Sequence, residues 1–172
     1  MGFGRTGKMF GFENFDVQPD IVNFAKALGG GMPIGAFVAD KKLMESFCEP
    51  PLGHITTFGG HPVSCAAALA SLNFIIDNKL AEKATAKGEF FEALIKKHPK
   101  VKKTWGIGLF RGIEVDKKIN MGDFLHKALD NGVLTDLFIF RNHAFRFAPP
   151  LTITENEISE AAEILMKTLD EM

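Results

Sequence analysis

The first half of the chain alternates short apolar runs with breaks rich in glycine and proline. Residues 21–25 and 34–38 are apolar runs that predict two strands, and residues 41–47 predict a short helix. Residues 63–76 are apolar on nearly every face, which predicts a helix buried on all sides. Two strands are too few to close a sheet, so this half is predicted to be part of a larger layer.

The second half carries three helical patterns. Residues 80–97 place apolar side chains at helical spacing, and residues 123–130 form a shorter pattern that Asn131 and Gly132 would end as a C-cap pair. The last helix is predicted to begin at a capping box and to bury one apolar face. The residues concerned are Thr154 and Glu157 for the box and Ile158, Ala162, Leu165 and Leu169 for the face.

Strands are predicted between these helices. Glycines stand among β-forming residues at 101–115, which predicts strands joined by a turn, and residues 133–140 and 144–147 predict further strands. The order helix, strands, helix, strands, helix indicates an α+β unit. A polar stretch separates this unit from the first half, so the predicted domains are residues 1–78 and 79–172.

Composition narrows the class of protein. The chain has 172 residues, of which 46% are apolar and 24% charged, which is typical of a soluble globular protein with one domain or two small ones. A net charge of -1 argues against nucleic acid or an anionic membrane as partner, and no apolar run reaches transmembrane length. The N-terminus lacks a signal-peptide pattern, so a cytoplasmic location is expected. Cys48 and Cys65 are widely spaced, which favours free thiols over a metal site or disulfides.

Lys26 is the strongest candidate for chemistry. It is the single amine in an apolar run that stops at Gly29–Gly31, an arrangement expected to hold a lysine at the end of a buried strand with backbone close around it. A lysine that loses its proton in such surroundings is a nucleophile for Schiff-base formation with a carbonyl cofactor. The alternative is a lysine at a strand end that extends its charge into water.

The segment Gly2–Lys8 has the glycine and lysine spacing of a Walker A loop. The next residue, Met9, cannot supply the hydroxyl that would bind magnesium, and no strand precedes the segment in this chain. A glycine-rich connector with solvated Arg5 and Lys8 is therefore the preferred interpretation.

Two weaker patterns have simpler explanations. His54 and His61 stand seven residues apart without a carboxylate, so no metal site is predicted. Phenylalanines alternate with polar residues over 138–147, where Arg141 and Arg146 offer positive charge for an RNA-binding surface. A half-buried pair of strands explains the same alternation and is preferred.

Four motifs occur in order along nearly the whole chain, at Gly2–Lys8, 20–36, 57–62 and 146–151. Together they resemble the class III aminotransferases of the acetylornithine, ornithine and 4-aminobutyrate type, which use pyridoxal 5'-phosphate. The resemblance implies an α/β fold, the pyridoxal-phosphate-dependent transferase fold type I. Within it, the first domain would be the C-terminal part of the cofactor-binding large domain with the linking helix, and the second the α+β small domain.

The resemblance also implies roles for individual residues. Lys26 would form the internal aldimine with the cofactor and then shuttle a proton. Thr57 would donate to the cofactor phosphate of the neighbouring subunit, together with the amides of Phe58 and Gly59 ahead of a helix. Arg146 would bind the substrate carboxylate, because a guanidinium presents a fork that lysine cannot. The substrates would be an amino-acid or ω-amino donor and a 2-oxo acid, 2-oxoglutarate. The enzyme would be a homodimer with its active site at the subunit interface.

Three departures from the family pattern stand out. In the family, an Asp-Glu-x-Gln run precedes the first motif, and members are usually more than twice this length, so the chain is expected to be a C-terminal portion with part of the site missing. His61 replaces a common asparagine, and Trp105 stands where many members have arginine. A non-catalytic truncated module that dimerises or binds a partner is the alternative, supported by the self-contained pattern of 80–172.

Overall fold

The computed structural model describes all 172 residues, and these group into two units. Unit 1 contains residues 1–3 and 8–79, and unit 2 contains residues 4–7 and 80–172. The segment 4–7, which the sequence assigned to the first domain, thus belongs to the second unit. The assignment of these parts to a large and a small domain stays a prediction.

Unit 1 is built on a two-stranded antiparallel sheet and one long helix. Its elements are β1 (Ile21–Phe24), β2 (Ala36–Ala39), α1 (Lys41–Met44) and α2 (Pro62–Asp77), with 3-10 helices at Gly11–Asn14, Lys26–Gly29 and Glu45–Phe47. In the sheet, Ile21 pairs with Ala39 and Phe24 with Ala36. The rings of Phe3 and Phe10 pack on Phe24 with centroids 5.7 and 5.1 Å away, which anchors the end of β1. The predicted strands and short helix are confirmed, with β2 starting two residues late.

The helix α2 corrects one expectation. It forms as predicted, but it is not buried on all sides, because only a narrow stripe of it is buried in this chain. The stripe contains Ser64, Ala68 and Ile75, whereas the exposed apolar residues are Val63, Leu69, Phe74 and Ile76. None of the helices is long and apolar enough to cross a lipid bilayer.

Unit 2 is a four-stranded antiparallel sheet with three helices. Its elements are α3 (Leu80–Ile95), β3 (Val101–Ile107), β4 (Phe110–Val115), α4 (Met121–Asp130), β5 (Asp136–Phe138), β6 (Arg141–Phe147) and α5 (Glu155–Asp170). The strand order is β3-β4-β6-β5. The helices α3 and α4 pack on the sheet, and α5 packs on both of these helices. The predicted order of elements is confirmed, although β5 is a three-residue strand where the sequence predicted one over 133–140.

The core of unit 2 forms where helical and strand faces meet. Phe91 of α3 stacks on Phe147 of β6 with ring centroids 3.6 Å apart, and Phe124 of α4 contacts Phe145 of β6 at 4.8 Å. The predicted face of α5 is confirmed, since all four of its residues are fully buried. The capping box is also confirmed: the backbone N–H of Glu157 donates to Thr154, and the Glu157 carboxylate accepts from the Thr154 N–H.

Candidate active site

Lys26 lies in an unusual backbone conformation. Its φ is 52°, in the left-handed region that costs a non-glycine residue roughly 1 kcal/mol. Ala25 before it is fully extended, and Lys26 is the first residue of a 3-10 helix that ends at Gly29. Lys79 has the same φ but follows the end of α2, where a left-handed residue is ordinary. The turn at Lys26 therefore has a conformation that its neighbours must hold in place.

The expectation of a buried strand before Lys26 is wrong for this chain. The strand β1 alternates exposed and half-buried residues, and Lys26 itself is exposed. The cause is that β1 pairs with β2 alone and has no further strand beside it. Backbone does lie close to the lysine turn, but on the side of the glycines that follow Lys26.

Gly30 brings the lysine turn against α2. It has φ of 57° and ends the 3-10 helix, and its N–H donates to the carbonyl of Ala27 at 3.3 Å. A Cβ at this position would lie 2.7 Å from the Cβ of Ser71 and 2.9 Å from the carbonyl oxygen of Ala67. Only glycine leaves room for this approach. The turn that carries Lys26 is thus packed directly on the backbone of α2.

The loop that contains Thr57 leads into the same helix. Thr57 and Phe58 are exposed, and Phe58 has 78% of its surface accessible. The N–H of Gly59 donates to the carbonyl of Thr56 at 3.4 Å, whereas the N–H of Phe58 has no backbone partner. No side chain caps the N-terminus of α2, which begins with Pro62. This loop therefore offers a hydroxyl and a backbone N–H near a helix terminus with partial positive charge.

Arg146 lies on β6 in unit 2, between Gly112 of β4 and Asp136 of β5. Its guanidinium forms an ion pair with the Asp136 carboxylate. The hydroxyl of Thr135 donates to the backbone carbonyl of Arg146 at 2.5 Å. The side chain is 38% exposed, which leaves part of it accessible to a solute. The sequence prediction missed Asp136, although its place in a β hairpin ten residues before Arg146 could have indicated the pairing.

Arg5 corrects another expectation. It was predicted to be a solvated side chain in a connector, but it is half-buried in unit 2. Its Nη1 donates to the carbonyl oxygens of Leu109 at 3.1 Å and Pro149 at 2.5 Å. Burial lowers the pKa of Arg5, and no carboxylate pairs with it. Lys8 is exposed as predicted.

No group of three or more histidine, cysteine, aspartate or glutamate side chains is arranged to hold a metal ion. His54 packs between the rings of Phe37 and Phe47, at centroid distances of 5.4 and 5.6 Å. Cys48 and Cys65 are free thiols. The groups suited to binding small molecules are therefore the amine, the hydroxyl and backbone N–H groups near α2, and the guanidinium on β6.

The fold agrees with that of known aminotransferases. The structure superposes on an ornithine aminotransferase from Toxoplasma gondii with a TM-score of 0.87 and 33% sequence identity. The match covers 99% of this chain and 41% of that one, whose crystal structure shows partial occupancy of PLP at the active site. It superposes on an acetylornithine aminotransferase from Elizabethkingia anophelis with a TM-score of 0.85 and 36% identity, over 99% and 44% of the two chains. These likenesses define the α/β fold as the pyridoxal-phosphate-dependent transferase fold type I.

The chain belongs to the aminotransferase class-III family, whose model matches residues 1–169. It is 44% identical over 177 residues to an acetylornithine aminotransferase from Caldanaerobacter subterraneus, covering 99% of this chain and 43% of the relative. It is 40% identical over 176 residues to a putrescine aminotransferase from Pectobacterium atrosepticum, covering 96% and 38%. The chain thus spans about two fifths of the length of the relatives it matches. The resemblance stated from the four sequence motifs is confirmed.

Proposed function

We propose that this chain is part of an enzyme that transfers an amino group between an acetylornithine- or ornithine-type donor and 2-oxoglutarate, with pyridoxal 5'-phosphate as cofactor. The observation that carries the proposal is the left-handed turn at Lys26, which Gly30 packs onto α2. Family membership supports the reaction type, and the acetylornithine, ornithine and putrescine relatives support an amino donor of this kind.

The residues present fit this cofactor chemically. Pyridoxal phosphate, when bound, supplies an aldehyde that takes up amines and a ring that withdraws electrons from the carbon that carries the amino group. An amine in a fixed turn suits the aldehyde, and Lys26 is that amine. The Thr57 hydroxyl and the N–H of Phe58, next to the N-terminus of α2, suit a phosphate.

Each residue then has a separate task. The Nζ of Lys26 would hold the cofactor and, once free of it, would move the proton of the donor carbon that bears the amino group. Thr57 and Phe58 orient the phosphate, in the proposed homodimer that of the neighbouring subunit. Arg146 exchanges the Asp136 carboxylate for that of the substrate, to which its guanidinium can present two N–H donors.

Lys26 is tested by reductive labelling of the full-length protein. The protein is incubated with pyridoxal phosphate, reduced with borohydride, digested and analysed by mass spectrometry. We expect the label on Lys26 and its loss in Lys26→Arg, which keeps the charge. Lys79 is the matched control, because it is exposed, lies in the same unit and has the same φ of 52°. Label on another lysine refutes the assignment, and a complete absence of label favours the non-catalytic module.

The homodimer is tested by mixing two inactive variants. If Thr57 serves the cofactor of the neighbouring subunit, a mixture of Lys26→Ala and Thr57→Ala subunits forms heterodimers in which one site has both intact residues. We expect transaminase activity to reappear after the subunits are mixed and allowed to exchange. A mixture as inactive as its parents, with exchange verified by mass, contradicts the shared site.

A further inference from the structure

The segment that follows Arg146 lacks ordinary backbone support. The strand β6 ends at Phe147, and Pro149 and Pro150 have no N–H to donate to a neighbouring strand. One internal backbone hydrogen bond, from the N–H of Ile153 to the carbonyl of Pro150 at 3.1 Å, shapes its end. The position of this segment therefore depends on the packing of Leu151 and Ile153 against the core and on the groups that bind its carbonyl oxygens.

Arg5 binds the first of these carbonyls. Its Nη1 donates to the oxygen of Pro149 and also to the oxygen of Leu109 in the β3–β4 turn, at 2.5 and 3.1 Å. The backbone on either side fixes it in place, because the N–H of Leu109 donates back to the Arg5 carbonyl at 3.0 Å. Gly108 allows this approach, since a Cβ there would lie 2.4 Å from the Arg5 carbonyl oxygen. Arg5 thus ties the segment after β6 to the β3–β4 turn.

Lys87 of α3 binds the second carbonyl. Its Nζ donates to the oxygen of Leu151 at 2.8 Å. Burial and the nearby charge of Lys83 lower the pKa of Lys87, partly opposed by Glu155 and Glu157. The hydrogen bond to Leu151 is charge-assisted, which makes it stronger than one between neutral groups and offsets part of the cost of taking the cation out of water. Two cations, one in the N-terminal segment 4–7 and one on α3, therefore hold residues 149 and 151, three and five positions after Arg146.

We propose that Arg5 and Lys87 are positioning residues, which hold the 148–151 segment and through it the Arg146 side chain in the orientation that binds the substrate carboxylate. The inference rests on the role of Arg146 under the proposed function. The physical reason is that the strand end is then held from both directions. Strand pairing with Gly112 and Asp136 and the stack of Phe147 on Phe91 hold β6 itself, and the two cations hold the chain that follows it.

The test uses the full-length protein and the variants Arg5→Gln and Lys87→Gln. Lys100→Gln is the matched control, because Lys100 is also half-buried in unit 2. Its Nζ donates to the carbonyl of Leu169 at the end of α5, at 2.7 Å. We expect the KM for 2-oxoglutarate to rise about tenfold in Arg5→Gln and by a smaller factor in Lys87→Gln, with kcat changed much less. Lys100→Gln should keep both constants.

A double variant separates positioning from general stability. A residue that acts through Arg146 has no further effect once Arg146 is replaced, so Arg5→Gln should not raise KM further in the Arg146→Gln background. Three results would overturn the inference but leave the proposed function standing. They are additive effects in the double variant, an equal rise of KM in Lys100→Gln, and an unchanged KM in both Arg5→Gln and Lys87→Gln. An unchanged KM in Arg146→Gln would instead refute the proposed carboxylate role, and the inference with it.

Amide hydrogen exchange gives a readout that does not depend on turnover. We expect faster exchange at Ile153 in Arg5→Gln and Lys87→Gln, because its N–H is protected by the hydrogen bond to the carbonyl of Pro150, inside the segment that loses its tethers. Exchange in the Lys100→Gln variant should match the wild type at this amide. Unchanged exchange in both test variants contradicts the tethering step of the proposal.

Discussion

Gly88 lies inside α3, where alanine would ordinarily be the better helix residue by about 1 kcal/mol. A Cβ at Gly88 would lie 1.9 Å from the carbonyl oxygen of Gly108 and 2.8 Å from Nε of Arg111. That Nε donates to the same oxygen at 3.0 Å, so the methyl group would also disturb this hydrogen bond. Overpacking costs about 1–3 kcal/mol and a hydrogen bond from a charged group about 1.5–3 kcal/mol. We expect Gly88→Ala to lower the free energy of unfolding by about 2 kcal/mol.

Gly122 in the first turn of α4 is the matched control. A Cβ there would meet only the Asn120 side-chain oxygen, at 3.3 Å, and the chain there has ordinary helical φ. Gly122→Ala should therefore leave stability unchanged or raise it by up to about 1 kcal/mol. The two glycines stand in helices of the same unit, so the opposite signs isolate the close approach at Gly88 from helix propensity.

Urea unfolding followed by the fluorescence of Trp105 measures both variants. Trp105 is the only tryptophan and lies on β3 in the same unit, with its ring 5.5 Å from Phe138. The midpoint should fall in Gly88→Ala at an unchanged slope, which indicates lost stability without a change in the surface exposed. A Gly88→Ala protein as stable as the wild type would refute the reasoning, because the turn at Gly108 would then yield at no cost.

Two further variants test single charges. Burial raises the pKa of Glu92, but hydrogen bonds from Lys96 and Thr104 outweigh it and hold the pKa below the ordinary value of 4.5. The stability that the ionised Glu92 contributes is complete above its unfolded pKa and is lost as pH falls through its folded pKa. In urea titrations, Glu92→Gln should therefore lose less stability than the wild type between neutral pH and about pH 3. An equal loss in the two proteins contradicts this prediction. Asp136→Asn in the full-length protein should free Arg146 and tighten binding of 2-oxoglutarate, measured by calorimetry, by up to about fivefold, because an exposed ion pair contributes at most about 1 kcal/mol. Unchanged or weaker binding contradicts a competition between Asp136 and the substrate for Arg146.

Local patterns predicted the elements of unit 2 well. The capping box at Thr154 and the apolar face of α5 are both found in the structure, because each depends on residues three or four positions apart in one helix. The strand prediction over 133–140 was too long, and β5 forms only at Asp136–Phe138. Strand length depends on the partner, and β6 pairs with this stretch only in part, with an irregular register between Leu137 and Phe138.

The candidate site shows the same division. The sequence marked Lys26, Thr57 and Arg146 by residue type and ordered motifs, and their roles stay predictions. It did not indicate that Arg146 pairs with Asp136, nor that Arg5 is half-buried on the carbonyl of Pro149. Such contacts join residues far apart in sequence or on neighbouring strands, so no local spacing encodes them.

The sequence by itself determined the family, the order of helices and strands and the chemistry available, because these depend on residue types and short-range spacing. The tertiary structure decided which surfaces are covered: α2 is apolar on nearly every face, yet only one stripe of it is buried. It also decided that Gly30 brings the lysine turn onto α2 and that two cations hold the segment after Arg146. Burial and long-range hydrogen bonds are properties of the packed chain, and they exist only after distant segments meet.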